Sequence, residues 1–292
     1  MKKFLSDKIA LGTVQFGLDY GINNLTGKIP KNEVFEILDY AHKSGINVID
    51  TSYAYGDSES VLGEYLKRSG IKFKVVSKLP GNKDDKSFEI FHETLNHLNK
   101  NKIYGYLIHN FDFYLKNSRI WADLRKIKQQ GKVQKIGFSL YYPEELEYLL
   151  KKKVTFDLIQ VPYSIFDQRF SVFFQQLKKK NVEIHIRSVF LQGLVFKEIN
   201  TLPKRFLKIK RKLETLKKLA GDLAIPVSSL CLNFAALNPF IDKVVIGVDN
   251  IANLKENLNN LKYQVKTKKI YNKLLKLKEE DENIILPVNW KK

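Results

Sequence analysis

The chain has 292 residues and a formal net charge of +19, with 50 lysines and arginines against 31 aspartates and glutamates. Its apolar fraction of 44%, with 19 Phe and 14 Tyr, is enough for a large buried core and excludes a disordered chain. No run reaches the ~18 apolar residues of a membrane span, and Asp7 and Lys8 interrupt the apolar core of any signal peptide. The single cysteine, Cys231, is typical of a reducing compartment, so we expect a cytoplasmic protein without a membrane partner.

The excess of basic residues is compatible with three kinds of partner: nucleic acid, an anionic membrane or an acidic substrate. Only seven of the 50 basic residues are arginine, the residue preferred for phosphate and base recognition. The densest basic run, 204–218, has apolar residues at helical spacing and predicts an amphipathic helix with a solvated basic face. We therefore expect a lysine-rich surface and no nucleic-acid partner.

Short β-rich runs alternate with amphipathic helical runs along the chain. This alternation implies a parallel sheet with right-handed crossovers, and eight units in just under 300 residues fit a (β/α)8 TIM barrel. An open doubly wound sheet is the alternative, but no G-x-G-x-x-G follows the first strand. We predict an α/β single-domain barrel over residues 1–292, with a tail from about residue 263. The predicted strands are 8–13, 47–50, 73–78, 103–109, 135–139, 158–162, 183–188 and 243–247.

Insertions follow three of the predicted strands, at residues 14–30, 110–118 and 189–204, and the segment 225–240 precedes the eighth strand. The first three are βα loops, which in a barrel form the face that carries the active site. Aromatic residues in these segments and in the tail predict a partly aromatic pocket; they are Phe16, Tyr20, Phe111, Phe113, Tyr114 and Trp290.

Four polar residues stand at or just beyond the C-terminal ends of three successive strands. Asp50 ends the second strand and Tyr55 follows in its loop, while Lys78 ends the third strand and His109 the fourth. Singly, these residues have ordinary explanations: a helix cap, a packed loop aromatic, a surface lysine and a core histidine. Together, each at the end of an apolar run, they favour one site at the mouth of the barrel.

These residue types predict a proton donor for a carbonyl group. A tyrosine has an unperturbed pKa of ~10, and a nearby ammonium such as that of Lys78 lowers the pKa of the phenol. Asp50 would keep Lys78 charged, and His109 would orient the carbonyl oxygen by a hydrogen bond. No side chain supplies the hydride that reduction also needs, which indicates a nicotinamide cofactor.

The element "IDTSYAYGDSE", with lysine and histidine at the ends of the next two strands, resembles the catalytic tetrad of the aldo-keto reductases. The resemblance covers nearly the whole chain, from "LGTVQFG" to "ENL" at 256–258. It implies an NAD(P)H-dependent reductase of a small-molecule aldehyde or ketone, in which Tyr55 donates the proton. Asp50 and Lys78 would tune that donor, and His109 would orient the substrate.

The resemblance also implies cofactor contacts from several strand ends, with two departures from the family pattern. Leu140 stands where an asparagine usually follows the serine of the carboxamide site. Arg187 replaces the aromatic residue that stacks on the nicotinamide, and because a guanidinium can also stack on a ring, we expect it to keep this role. The implied cofactor-binding residues are Gly12, Thr13, Val14, Ser139, Gln160, Arg187, Ser188, Phe190, Gly193, Gly247, Asp249, Asn250, Asn253, Glu256 and Asn257.

The choice between NADPH and NADH depends on the segment "IGVDNIANLKENL" near the eighth strand. Many NADP-dependent members carry a basic residue at the position of Gly247 or Asn253, and neither is basic here. Asp249 would repel a 2′-phosphate and can accept from a 2′-hydroxyl, while the helix N-terminal amides at 249–251 are suited to phosphate. Family habit favours NADPH and these residues admit NADH, so both are expected cofactors.

Other functions remain open on the same fold. Lys78 at a strand end is also suited to form a Schiff base, as in aldolases. A non-catalytic subunit that keeps the cofactor site for regulation or partner binding is a second alternative. The first and seventh strand loops are similar to those of bacterial members associated with surface-polysaccharide gene clusters, which suggests a keto-sugar substrate. A basic mouth would suit an acidic or phosphorylated sugar; the sequence does not specify an oligomeric state.

Overall fold

The computed structural model describes residues 5–22, 24, 27–81 and 86–290. Eight parallel strands close into a barrel in chain order, which confirms the predicted (β/α)8 architecture. All eight predicted strands are present, and their bounds differ from the predicted ones by at most two residues. The strands are β1 Ile9–Gly12, β2 Val48–Asp50, β3 Lys74–Leu79, β4 Ile103–Ile108, β5 Val133–Ser139, β6 Leu158–Pro162, β7 Glu183–Arg187 and β8 Lys243–Ile246.

The helices lie between successive strands and around the outside of the barrel. They are α1 Val14–Gly17, α2 Lys31–Lys43, α3 Ser58–Ser69, α4 Ser87–His97, α5 Phe111–Lys116, α6 Arg119–Gln129, α7 Pro143–Lys151, α8 Ser171–Lys179, α9 Lys210–Asp222, α10 Val227–Leu237, α11 Ile251–Asn260, α12 Gln264–Lys269, α13 Tyr271–Leu275 and α14 Glu282–Ile285. Within the described ranges, no single helix is long and apolar enough to cross a membrane. The pair Lys204–Asp222 and Val227–Leu237 meets the criteria jointly but bends by 95°.

Two segments between β7 and β8 were singled out from the sequence, and the structure agrees with the prediction for one of them and differs for the other. The predicted amphipathic helix is present, as a 3₁₀ turn at Lys204–Ile209 that continues into α9, with Leu213 and Leu216 buried. The segment 225–240, treated as an insertion, instead contains helix α10, whose residues are buried on nearly every side. A helix buried all round has no polar face, so it lacks the periodic pattern by which the others were recognised.

Apolar side chains pack in two layers because successive residues of a strand point to opposite faces. The larger layer lies between the outer face of the barrel and the helices. The inner layer is small, and consists of Ala10, Val48, Val76, Leu107 and Leu158 inside the barrel. Since these residues fill the middle of the barrel, the polar residues beyond them are confined to its mouth.

The strand register sets the predicted site residues side by side at that mouth. Gly12 of β1 pairs with Asp50 of β2, and Ser139 of β5 pairs with Gln160 of β6. All strands are parallel, so their C-terminal ends and the loops that follow them lie at one end of the barrel. The strand-end residues predicted from sequence therefore share one face of the molecule.

Many of the basic residues lie at the other end of the barrel. They stand in the last turns of α2, α3, α6, α7 and α8 and in the short loops that lead into the next strands. Cations are favoured there because a helix C-terminus carries partial negative charge. These basic residues therefore lie away from the mouth of the barrel. These residues include Lys43, Lys67, Arg68, Lys72, Lys126, Lys128, Lys151, Lys152, Lys153, Lys179 and Lys180.

The tail after residue 263 forms helices α12 to α14 and packs against the barrel. Arg169, in the loop after β6, donates to Glu282 of the tail at 2.5 Å and to the buried Asp167 at 2.9 Å. Trp290 packs edge-on against Phe206, with 4.8 Å between ring centres. The tail therefore covers the barrel near the loops after β6 and β7.

The loop that carries Tyr55 is positioned by an unusually close approach of two backbones. A Cβ atom on Gly17 would lie 1.8 Å from the carbonyl oxygen of Tyr55 and 2.7 Å from the amide nitrogen of Ser58. Gly56 has a φ of +56°, and a Cβ there would lie 2.5 Å from the carbonyl oxygen of Gly17. Glycine is therefore required at both positions, because any side chain separates α1 from the loop after β2.

We expect Gly17→Ala to destabilise the protein by about 2 kcal/mol, since the new methyl group collides with backbone atoms that cannot rotate away. The matched control is Gly221→Ala in α9, where a Cβ meets nothing within 4 Å. That change should stabilise the protein by up to about 1 kcal/mol through helix propensity. Urea unfolding of both variants measures the difference, and a Gly17→Ala protein as stable as the wild type would contradict the close contact.

Candidate active site

The centre of the site is an ion pair buried in the mouth of the barrel. Lys78 Nζ donates to Asp50 Oδ1 at 2.6 Å, and the Lys78 side chain is 0% exposed. Lys78 Nζ also donates to the carbonyl oxygen of Thr51 at 2.9 Å. Burial lowers the pKa of Lys78, and the adjacent Asp50 carboxylate opposes that shift. Lys78 is therefore enclosed by protein, with the Asp50 carboxylate as its partner.

The second oxygen of Asp50 is held by a residue that the sequence assigned to the cofactor. Gln160 Nε2 donates to Asp50 Oδ2 at 2.7 Å, and Ser139 Oγ donates to Gln160 Oε1 at 3.5 Å. Both carboxylate oxygens of Asp50 thus have a donor, one from a neighbouring strand and one from the opposite side of the barrel. Gln160 and Ser139 therefore orient the ion pair.

Tyr55 lies over this ion pair. Lys78 Nζ is 5.2 Å from the centre of the Tyr55 ring, and the His109 ring meets the Tyr55 ring edge-on at 5.8 Å between centres. Burial raises the pKa of Tyr55, the charge of Asp50 raises it further, and Arg187 lowers it. The pKa of Tyr55 is therefore not lowered in the free protein as expected, because burial and the charge of Asp50 raise it by more than the nearby positive charge lowers it. Tyr55 is a neutral phenol at neutral pH.

His109 lies beside Tyr55 at the mouth of the barrel and is a neutral imidazole. Burial, with smaller contributions from Lys78 and Arg187, lowers the pKa of His109 to about 3. Its Nδ1 lies 3.0 Å from the hydroxyl oxygen of the buried Ser52. That oxygen already accepts from the Ala54 amide at 3.2 Å, so among the described contacts Nδ1 is the acceptor available to the Ser52 proton. We assign Ser52 as the donor to Nδ1, which places the ring proton of His109 on Nε2.

A cavity of about 510 Å³ opens at this mouth and extends from Tyr55 and His109 to the loop after β8. Lys78, Ser139 and Asn250 do not line it: the first two are buried beside it, and Asn250 caps helix α11 by accepting from the Asn253 amide at 2.8 Å. The predicted residues that line the cavity are Gly12, Thr13, Val14, Asp50, Tyr55, His109, Gln160, Arg187, Ser188, Phe190, Gly193, Gly247, Asp249, Asn253, Glu256 and Asn257.

The aromatic lining differs from the one expected. Tyr20 lines the cavity, whereas Phe16, Phe111 and Tyr114 are buried in the core between barrel and helices. Three further aromatic residues line the cavity: Phe190, which was predicted as a cofactor contact, and Tyr141 and Phe196, which were not predicted. The expected partly aromatic pocket is present, but most of its rings come from the loops after β5 and β7.

Arg187 is held in one orientation at the reacting end of the cavity. Its guanidinium lies 4.1 Å above the centre of the Tyr141 ring. Nη2 donates to the carbonyl oxygen of Leu140 at 3.0 Å, and Nη1 donates to Ser188 Oγ at 3.3 Å. The two departures from the family pattern, Leu140 and Arg187, are thus bonded to each other. A planar group with one face on Tyr141 leaves its other face for a second planar group.

The cavity has the features that a dinucleotide needs. Its volume lies in the range usual for cofactor sites, and backbone atoms of Gly12, Thr13 and Val14 form part of its wall. Gln15 Oε1 is buried at its edge without a hydrogen-bond partner, an acceptor that a ligand hydroxyl or amide can satisfy. Ser188 and Gly193, which both line the cavity, have positive φ values of +66° and +95°, so the loop after β7 turns sharply at its wall.

The far end of the cavity is acidic, and its helix amides are already engaged. The Ile251 amide of α11 donates to Glu33 Oε1 at 3.2 Å, and the Asp249 amide donates to Asn253 Oδ1 at 3.3 Å. A carboxylate and an amide oxygen thus occupy two of the three amides at 249–251 that were predicted to suit a phosphate. Among the described residues that line the cavity, Arg187 is the only cation, and it lies at the opposite end.

A family model decides the assignment that these features suggest. The model described as the aldo/keto reductase family matches residues 8–278. The chain belongs to the aldo/keto reductase family. As a member it is an oxidoreductase of a family that acts on carbonyl compounds.

Two proteins of Bacillus subtilis resemble the chain, one along most of its length and one along less than half of it. Uncharacterized oxidoreductase YqkF of Bacillus subtilis (strain 168) is 23% identical over 278 residues, which cover 86% of this chain and 90% of that protein. Glyoxal reductase of the same organism is 32% identical over 127 residues, 41% of this chain and 45% of that protein.

Two solved structures share the fold. The holo form of aldo-keto reductase AKR11C1 from Bacillus halodurans has a TM-score of 0.75 at 19% identity, with 94% of each chain covered. Glycerol dehydrogenase AKR11B4 from Gluconobacter oxydans has a TM-score of 0.71 at 20% identity, covering 96% of this chain and 92% of that one. At these identities the likeness establishes the architecture.

Among the residues of this aldo/keto reductase site that sequence reasoning missed are Ser52, Tyr141 and Glu33. Ser52 stands two positions after Asp50 inside the recognised motif, so its location offered a signal that its common residue type obscured. Tyr141 directly follows the unusual Leu140, and the pairing of β6 with β7 brings Arg187 close to it. Glu33 had no local signal, because its partner Ile251 is 218 positions away in the chain.

Ser52→Ala should allow the His109 ring to adopt both neutral tautomers, because Nδ1 loses the hydrogen-bond donor that keeps the ring proton on Nε2. We expect a roughly tenfold lower kcat, the size of one lost hydrogen bond, and a mixture of ring tautomers. The tautomer is read directly from ¹⁵N chemical shifts of the imidazole in long-range ¹H–¹⁵N spectra. Ser60→Ala, an exposed serine at the start of α3, is the matched control. A wild-type ring protonated on Nδ1 would contradict the assignment.

Proposed function

We propose that this protein reduces an aldehyde or ketone with a nicotinamide cofactor, NADH in preference to NADPH, and that Tyr55 donates the proton. The observation that carries the proposal is the buried Asp50–Lys78 pair beneath the Tyr55 ring, with neutral His109 beside it in the same cavity. A neutral acid, a buried cation beneath it and a neutral hydrogen-bond donor are the parts that carbonyl reduction requires.

The carbonyl oxygen is bound by two donors. Tyr55 and His109 both line the cavity where their rings meet, and the hydroxyl of Tyr55 and the Nε2–H of His109 are the groups that would donate. Because the pKa of His109 is lowered to about 3, the imidazole donates this hydrogen bond as a neutral group over the physiological range. It therefore orients the substrate without competing with Tyr55 for the transferred proton.

Tyr55 transfers its proton as negative charge develops on the carbonyl oxygen. Its raised pKa keeps the phenol protonated until that moment, and an oxygen approaching alkoxide character is basic enough to take the proton. The Lys78 ammonium stabilises the phenolate that results, and Asp50 keeps Lys78 charged and aimed. A reduced nicotinamide held at the Arg187 end would supply the hydride to the carbonyl carbon.

The residues suited to hold the cofactor form the two sides of the cavity. Gln160, Arg187 and Ser188 lie near the reacting end, and Asp249, Asn253 and Asn257 lie at the far end. Asp249 and the adjacent Glu256 can accept from ribose hydroxyls, whereas a 2′-phosphate would meet carboxylates there. This acidity, with Glu33 on the amide of Ile251, supports NADH as the cofactor.

For the substrate, we propose a small hydroxylated carbonyl compound such as a keto-sugar. The lining near Tyr55 combines the rings of Tyr20 and Tyr141 with the guanidinium of Arg187. Rings and donors of this kind pack on the faces of a sugar and bind its hydroxyl groups. The observation that Lys78 is enclosed and paired supports a charge role over Schiff-base formation, since its amine does not line the cavity.

Tyr55→Phe should lower kcat by at least about 10²-fold while cofactor binding stays within about twofold, because only the transferred proton is removed. Tyr53→Phe is the matched control: its hydroxyl donates to Glu93 outside the cavity, and we expect near-normal turnover. Full activity of Tyr55→Phe would refute the mechanism. Wild-type protein that binds the cofactor but reduces no aldehyde or ketone in a broad panel would instead favour the non-catalytic alternative. Covalent trapping of Lys78 by borohydride with a carbonyl substrate would favour the Schiff-base alternative.

The cofactor preference has its own test by fluorescence titration with NADH and NADPH. We expect NADH to bind roughly tenfold more tightly, because carboxylates rather than cations surround the adenosine end. Glu33→Gln keeps a hydrogen-bond acceptor for the Ile251 amide, removes one charge and should narrow that difference. Glu36→Gln, exposed on the same helix, is the control and should leave the ratio unchanged. Tighter binding of NADPH by the wild type would refute the preference.

A further inference from the structure

The reacting end of the cavity contains one more positive than negative charge. Asp50 is matched by Lys78 at 2.6 Å, and both Tyr55 and His109 are neutral. Arg187 adds a positive charge to this end, and that charge lowers the pKa values of Tyr55, Lys78 and His109. No other cation lines the described part of the cavity.

The charge of Arg187 is not cancelled by an acidic partner. Its described contacts are the Leu140 carbonyl oxygen, the Ser188 hydroxyl and the face of the Tyr141 ring, all of them uncharged. The nearest acidic groups are committed elsewhere. Asp50 is bonded to Lys78 and Gln160, and Glu145 accepts from the backbone amides of Tyr141 and Tyr142 at 2.7 and 3.0 Å.

The contacts also prevent Arg187 from moving away. A guanidinium hydrogen-bonded at both Nη atoms and stacked on a ring has little freedom, and the aromatic face adds a cation–π attraction. An arginine at the surface would instead swing into solvent, where its charge is screened. The positive charge is thus a fixed property of the reacting end.

A nicotinamide ring that delivers hydride must lie close to this charge. The reacting carbon has to approach to about 3–3.5 Å from a carbonyl whose oxygen is bound by Tyr55 and His109. The reduced ring is neutral, whereas the oxidised ring carries one positive charge. The adenosine and the phosphates are the same in both forms, so their contributions cancel from the ratio of the two affinities.

We propose that Arg187 makes the site discriminate between the two redox states of its cofactor, so that the reduced form binds more tightly than the oxidised form. This inference rests on the proposed function and deepens it. An uncharged aromatic residue at this position would stack on either form without such a bias. The chemical consequence is that oxidised cofactor is repelled once hydride has left, which speeds its release after each turnover.

The test is equilibrium titration of purified wild type with NADH and with NAD⁺, followed by intrinsic tyrosine and tryptophan fluorescence. We expect the reduced form to bind roughly tenfold or more tightly, the size expected for two cations held a few ångströms apart at the effective dielectric of such sites. In Arg187→Tyr, which keeps a planar group and removes the charge, the two affinities should come within about twofold. The change should come from tighter binding of NAD⁺, with NADH little altered.

Two further variants separate charge from folding. Arg187→Lys keeps the charge without the plane and should retain most of the bias, even if both affinities fall. Arg211→Tyr, exposed on α9 far from the cavity, should behave as wild type and controls for a tyrosine in place of an arginine. Thermal unfolding checks that each variant is folded.

The outcomes are distinct. Equal affinities for NADH and NAD⁺ in the wild type, or an unchanged ratio in Arg187→Tyr, would overturn the inference and leave the proposed reduction intact. A variant that changes only the KM for anionic carbonyl compounds would assign Arg187 to the substrate and overturn it as well. Absence of binding by either form to the wild type would overturn the proposed function, and this inference with it.

Discussion

The buried ion pair between Asp50 and Lys78 is the interaction on which the mouth of the barrel depends. Two charges removed from water are tolerated only where each gains a close partner and further hydrogen bonds, and losing one partner costs about 3–5 kcal/mol. Here Asp50 accepts from Lys78 and Gln160, and Lys78 donates to Asp50 and the Thr51 carbonyl. The register of β2, β3 and β6 must therefore be kept, since a shift of one residue would turn these side chains out of the barrel.

Burial at this mouth acts on the three titratable groups in different directions, and the combination suits proton delivery. Burial raises the pKa of Tyr55 and lowers the pKa of His109 to about 3, and it lowers the pKa of Lys78 against the opposing effect of the Asp50 carboxylate 2.6 Å away. The loop that carries Tyr55 is held by the contact of Gly17 with Gly56, so the phenol has little freedom to leave the ion pair. The backbone contact and the side-chain charges thus both hold Tyr55 above the Asp50–Lys78 ion pair.

The distribution of charge over the barrel is the second organising feature. Lysines gather at the helix C-termini on the face opposite the cavity, and the cavity itself is acidic at one end and positive at the other. A net charge of +19 therefore says little about the ligand, because the lining of the site carries one described cation, Arg187. Arg187 donates a hydrogen bond to Leu140 and lies over the Tyr141 ring. The two residues that depart from the family pattern, Leu140 and Arg187, therefore contact each other.

The barrel and the four strand-end residues could be predicted from the sequence because they depend on local patterns. Alternating β and α runs imply parallel strands, and parallel strands bring Asp50, Lys78 and His109 to one mouth whatever the details of packing. Helix α10 was missed because a helix without a polar face has no periodic pattern. The protonation of Tyr55, the tautomer of His109 and the contact of Glu33 with Ile251 were decided only by the tertiary structure. These depend on how much water is excluded and on which partners arrive from distant parts of the chain, and neither is encoded in the spacing of neighbouring residues.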